Sequence, residues 1–192
     1  MASLTSTITG FVRSDLTEET KYYPVSFTNC KVWDAMITSL PGAAATDDAG
    51  LITGTPGTHA PTIQGLDPGG TTITSKFAFE FELPPEYVAA GSAVIRVSGK
   101  CATTIADGAC TIDFSAYLDE RDGTVGADLV ATAPYSINSL TEQTSNFTIT
   151  ASTLTPGAKI IVVGTIAAND AGNLGAMVPT ITVLEIGLAV KG

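Results

Sequence analysis

The chain has 192 residues, 44% apolar and only 15% charged, with nineteen acidic against nine basic side chains and a formal net charge of −10. That length fits one β-sandwich domain with long loops, or a domain plus an arm. With no Lys/Arg cluster to track a phosphate backbone, nucleic acid is excluded as a partner, and the acidity disfavours anionic membrane surfaces.

At the N-terminus, Met1 to Asp15 lacks the basic and apolar regions of a secretory leader. No stretch approaches the length of a membrane span, so folding in a cytoplasm is expected. Residues 1–32 hold two short β-like pieces, Thr5–Val12 and Tyr22–Phe27, around the charged run Asp15–Lys21. They read as an extended arm that pairs with a neighbour or forms a private hairpin, ahead of a sandwich domain at 33–192. Trp33–Leu40 is expected to make one helical turn, stopped by Pro41-Gly42. Gly42–Gly70 is rich in Gly, Pro, Thr and Ala. An ordered loop of that length needs a job or a partner, so it is expected to be pinned against the sandwich or an adjacent subunit.

Lys76–Leu83 alternates cleanly, with Phe77, Phe79, Phe81 and Leu83 on one side and Lys76, Ala78, Glu80 and Glu82 on the other. A period of two with one wet face belongs to an antiparallel sheet packed on a core. Pro84-Pro85 ends that strand. Ala93–Gly99 follows with Ile95 and Val97 inward. Cys110–Leu118 then places Cys110, Ile112, Phe114, Ala116 and Leu118 inside, before the acidic loop Asp119–Gly123. Leu129–Ala133 is a short strand, and Ser145–Ala151 puts Phe147 and Ile149 on one face. Lys159–Ile166 carries Ile160, Ile161, Val162 and Val163, which predicts a central strand covered on both faces. After a loop at Asn169–Gly175, Thr180–Val190 closes the fold with Leu184, Ile186, Leu188 and Val190 together. About eight strands with turn residues between them predict an all-β, antiparallel, jelly-roll-like sandwich.

No constellation for chemistry stands out. His59 is the single histidine, and no Gly-x-Ser-x-Gly elbow accompanies it. Glu80 and Glu82 lie on one strand face about 7 Å apart, within the separation of an inverting carboxylate pair. Neighbours on one flat face nevertheless normally sit in solvent. Asp119, Glu120, Asp122 and Asp128 could gather around a hard cation, but their spacing is not that of an EF-hand, and a solvated hairpin tip accounts for them. Cys30, Cys101 and Cys110 lack the spacing of a metal knuckle. They are expected to be reduced packing residues, although Cys101 and Cys110 could also bridge across a hairpin. Tyr22, Tyr23, Trp33, Tyr87, Tyr117 and Tyr135 are scattered candidates for stacking on sugars. The sequence therefore predicts no catalytic, cofactor-binding or metal residues and no enzyme.

Certain stretches carry a resemblance: Trp33-Asp34-Ala35-Met36, Leu40-Pro41-Gly42, Asp47 to Gly54, Phe79 to Gly91, Asp107 near Cys110, and the ending Thr182–Lys191. Together they resemble a group of proteins from tailed bacteriophages and prophages. In layout the chain looks like the small β-sandwich or jelly-roll cement proteins that decorate phage capsids. The resemblance implies a virion structural protein on the capsid surface, made in the host cytoplasm, bound to the major capsid protein and to itself as a dimer or trimer. The alternative is a carbohydrate- or receptor-binding β-sandwich module of a phage tail or fibre.

Overall fold

The computed structural model describes residues 18–103, 109–170 and 177–191. The expected piece Thr5–Val12, Asp107 and most of the loop expected at Asn169–Gly175 lie outside the described residues. Thirteen strands are present among the described residues, with one 3-10 turn, Phe27–Asn29. They are β1 (Glu18–Pro24), β2 (Lys31–Val32), β3 (Ala35–Ser39), β4 (Gly50–Ile52), β5 (Thr62–Gln64), β6 (Thr72–Glu82) and β7 (Ala93–Cys101). Then come β8 (Ala109–Asp119), β9 (Val125–Asp128), β10 (Tyr135–Ser136), β11 (Gln143–Ile149), β12 (Lys159–Asn169) and β13 (Pro179–Lys191). No described helix is long and apolar enough to cross a membrane.

Two antiparallel sheets face each other in a β-sandwich. One runs β11-β7-β13-β5-β4, with β1 also on β13; the other runs β10-β8-β12-β6-β2-β3, with β9 also on β8. The long strands β6, β7, β8, β11, β12 and β13 alternate between the two sheets. Each crossing therefore folds the chain back over the core, which gives the jelly-roll character.

The core forms where the alternation predicts it. Phe77, Phe79, Phe114, Phe147, Ile95, Ile112, Ile160 and Leu184 are buried, as are Ile186, Leu188 and Val190. Phenylalanines link the layers: Phe114 meets Phe77 of its own sheet edge-on at 6.1 Å and Phe147 of the opposite sheet at 5.1 Å. Edge-on rings pair a positive rim with a negative face, which favours such crossings beyond simple burial.

Four expectations change. Trp33–Leu40 contains a strand, β3, rather than a helical turn, because β2 supplies a hydrogen-bonding partner at Lys31↔Ser39 and Val32↔Ala35. The strand expected at Leu129–Ala133 is replaced by β9 and β10 on either side of it, both on the edge of β8. β12 is central, but only one of its faces is buried; Ile161 and Val163 on the other are half-exposed between Tyr117, Ser115, Glu80 and Ala78. Part of the expected arm belongs to the sandwich, since β1 pairs with β13 from Glu18↔Lys191 to Pro24↔Glu185 and β2 joins β6.

The long Gly/Pro-rich loop is pinned by the sandwich itself. Asp47 and Ala49 bond to Lys76 of β6 through backbone groups, at 2.7 and 2.8 Å, while β5 lies on β13 of the other sheet. The loop thus ties one sheet to the other along an open side.

Candidate binding groove

The place where the chain passes from one sheet to the other shapes the surface most. β1 ends at Pro24, and the Val25 N–H still donates to the Leu184 carbonyl of β13 at 2.9 Å. Ser26–Cys30 then turns, with Asn29 N–H donating to the Ser26 carbonyl at 2.9 Å, and buried Cys30 anchors the far end. β2 meets β6 only at Lys31↔Ala78. Beyond Ala78, none of the described strands pairs with that edge of β6, so the backbone near Glu80–Glu82 is open on one side.

The crossing segment leaves two adjoining hollows, of about 230 and 290 Å³, that share Pro24, Val25 and Ser26. The first has a floor of Phe81, Ile186 and Leu188 and a rim of Tyr23, Asn29, Glu80 and Glu82. The second runs along Thr182–Glu185 of β13 to Phe27 and Pro61. Each alone is smaller than the roughly 300–1,000 Å³ of a typical small-ligand site. Meeting at Pro24, Val25 and Ser26, they together form a two-part trough.

Neither hollow has a lysine or arginine in its lining. The acids on the rim are oriented by cations outside it. Glu80 pairs with Lys159 at 2.6 Å, and the hydrogen bond between them raises the lysine pKa. Glu185 accepts from Arg96 Nε at 2.6 Å, and that guanidinium lies over the Tyr22 ring at 3.7 Å. The trough therefore presents apolar ground, a phenol, an amide and hydrogen-bond acceptors of negative sign. Phosphates and uronic acids would be repelled, whereas neutral hydroxyl donors meet acceptors already in place.

The other aromatic candidates are occupied. One face of Trp33 is covered by the Lys76 ammonium, 4.1 Å from the ring centre, and its Nε1–H donates to Asp47 at 3.2 Å. Buried Tyr87 donates its hydroxyl to the Gly91 carbonyl at 2.6 Å and ties a turn. Tyr117 and Tyr135 are half-buried on the second sheet, away from the hollows. Of the tyrosines only Tyr23 lines either of these two hollows, and the sequence marked it only as one of six scattered rings.

The remaining candidates are dispersed. His59 lies exposed on the turn Thr55–His59. The acids of the β8–β9 hairpin serve their own backbone: Asp119 accepts from the Arg121 N–H, Asp128 from those of Ala116 and Val130, and Asp122 from the Thr124 N–H and hydroxyl. The Thr124 side-chain bond lowers the Asp122 pKa. Among the described residues no group of His, Cys, Asp or Glu could hold a metal ion, and the three cysteines are free and buried. Glu80 and Glu82 share a rim without opposing one another across a cleft.

No protein-family model matches this chain, and no curated protein sequence matches it. Among solved structures it is similar to a xylan-binding module, CBM15, at a TM-score of 0.52 and 16% identity, over 91% of this chain and 100% of that one. It also aligns with the CBM22-1 xylan-binding domain of Paenibacillus barcinonensis Xyn10C at a TM-score of 0.46 and 9% identity, over 93% and 99% of the two chains. At such identities the first likeness is one of fold: the chain is a β-sandwich of the architecture found in that module.

Proposed function

We propose that the chain is a non-catalytic binding domain whose trough receives a stretch of neutral polysaccharide. The observation that carries this reading is the trough itself: an apolar floor between acceptor-rich rims, without a cation, beside an open strand edge. Sugar rings offer the matching chemistry, with C–H faces for Phe81 and Pro84 and hydroxyls for Glu82, Asn29 and Tyr23. A xylan-binding module of the same fold makes a neutral plant-type polymer the first ligand class to try.

Calorimetric titration tests this with soluble xylan and mixed-linkage glucan against polygalacturonate. Heat is expected from a neutral polymer and none from the anionic one. Glu82→Ala and Asn29→Ala, both at exposed positions, should each weaken binding about tenfold, or ~1.4 kcal/mol, with melting temperature unchanged. Silence from every neutral polymer at millimolar sugar, or affinities untouched by both substitutions, would sink the reading.

A second reading rests on a different observation. Ile37 is 97% exposed on β3, the outermost strand of its sheet. The outer edge of such a strand offers unpaired backbone groups on which another chain can pair. This supports attachment to a larger assembly, such as the outside of a phage shell, by a dimer or trimer of this chain. Purified particles should then contain it in fixed proportion to the major coat protein; a few copies per particle would rule that out.

A further inference from the structure

Cys101 and Cys110 sit in an unusual relation. Cys101 is the last residue of β7 in one sheet and Cys110 the second residue of β8 in the other. Both are nevertheless buried in the one core between the layers, near enough for each thiol to perturb the other. They therefore do not face each other across a hairpin, as the sequence suggested, but across the two layers of the sandwich. One short segment holds both backbones in place: Cys101 N–H donates to the Ser139 carbonyl and Ile137 N–H to the Cys110 carbonyl, each at 2.8 Å. Cys30, also buried, lies elsewhere, between the 3-10 turn and β2.

We propose that Cys101 and Cys110 form an oxidation site, at which thiol–disulfide exchange with a small disulfide closes a covalent staple between the two sheets. The thiolate of Cys101 attacks one sulfur of the small disulfide RSSR, giving a mixed disulfide and releasing one RS⁻. Cys110 loses its proton and its sulfur attacks Cys101 Sγ, expelling the second RS⁻. Two protein thiols are oxidised, one RSSR is reduced to two RSH, and both thiol hydrogens end on the released thiols.

Each step has a structural counterpart. The neighbouring Cys110 thiol lowers the Cys101 pKa against the opposing effect of burial, and a Ser139 backbone bond acts the same way. The neighbouring Cys101 and burial push Cys110 up, and Cys101, which ends its strand beside the exposed pair Ala102 and Thr103, is the sulfur that a reagent meets first. Both cysteines are buried, but their flanking residues Ala102, Thr103 and Ala109 are exposed. Strand ends open locally at low cost, which gives a small reagent access without global unfolding. Closing so short a loop restricts the unfolded chain and should strengthen the fold. The site is independent of the trough, so its fate says nothing about polysaccharide binding.

The test incubates the folded full chain with oxidised glutathione at rising ratio to the reduced form. Expected are an intact mass lower by about 2 Da without retained glutathione, a Cys101–Cys110 linked peptide after proteolysis, and a melting temperature higher by about 5–10 °C. Reducing agent should reverse all three. Cys30→Ser should behave as the parent. Cys110→Ser should never lose the mass, and should instead retain one glutathione. If both thiols of the parent remain alkylatable after excess oxidised glutathione, or if glutathione stays on Cys101 with Cys110 free, the site is not what we propose. A bridge that forms but leaves the melting temperature unchanged or lower overturns the staple.

Discussion

A Gly164→Val substitution should prevent folding, and Gly164→Ala should cost about 3 kcal/mol, at the upper end of what overpacking typically imposes. Gly164 lies inward on β12, paired with Phe77 of β6 on one side and Phe114 of β8 on the other. A Cβ there would fall 2.3 Å from Phe77 Cζ and 2.5 Å from its Cε1. The Phe77 ring has nowhere to retreat, since Phe79 stacks on one side of it at 6.5 Å and Phe114 abuts it edge-on. The glycine is present for space, because its backbone is ordinary extended strand. Urea unfolding should show a lower midpoint with an unchanged slope. Phe77→Leu alone should destabilise, yet in the Gly164→Ala background it should cost much less, since it removes the clash. An alanine variant with the parent's midpoint would mean that the ring does not lie over residue 164.

How far the fold can be read from the chain depends on how one-sided each strand is. β6 and β8 were legible because one face of each meets the opposite sheet and the other meets water, so burial writes a period of two into the residues. β12 misleads for a related reason. Its outer face carries Ile161 and Val163, but Tyr117 and Ala78 on the flanking strands shade them in part, so apolar side chains are tolerated where no second layer exists. Trp33–Leu40 fails differently. Ala35, Met36 and Leu40 favour helix locally, and the window is too short for any period to show, so β2 decides the outcome through pairing. β9 and β10 are edge strands of four and two residues. They carry almost no apolar pattern, and only the prior existence of β8 defines them.

The trough was legible only in fragments. Glu80 and Glu82 stood out as a pair, and both are on its rim, yet what makes them a rim is Tyr23 and Asn29, which arrive from a crossing segment far away in sequence. No spacing rule links residue 23 to residue 82 or 186. The hollow exists because β2 is too short to cover β6, a fact of pairing length that composition does not encode. The absence of cations in the lining, by contrast, follows from a chain with only nine basic residues, several of them engaged elsewhere: Lys76 on Trp33, Arg96 on Tyr22 and Glu185, Lys159 on Glu80.

The role of the N-terminal region separates the structure most sharply from the sequence reading, and a truncation resolves it. Removing residues 1–24 should cost about 3–5 kcal/mol and lower the melting temperature by roughly 10 °C relative to a chain lacking only residues 1–17. The comparison isolates β1. Its seven residues pair with β13 along the stretch that carries Ile186, Leu188 and Val190 into the core. Tyr22 also lies against Gly187, where an added Cβ would come within 2.7 Å of its ring, and its face holds the Arg96 guanidinium that pairs Glu185. Loss of β1 would uncover one edge of the strand at the centre of that sheet and free Arg96 from its stacking partner. Bare edges recruit other chains, so the shorter variant should also aggregate at lower temperature. If the two truncations melt within about 1 °C of each other, which is the scale expected of a change that removes no folded contacts, β1 is an appendage, and the extended arm inferred from sequence regains its standing.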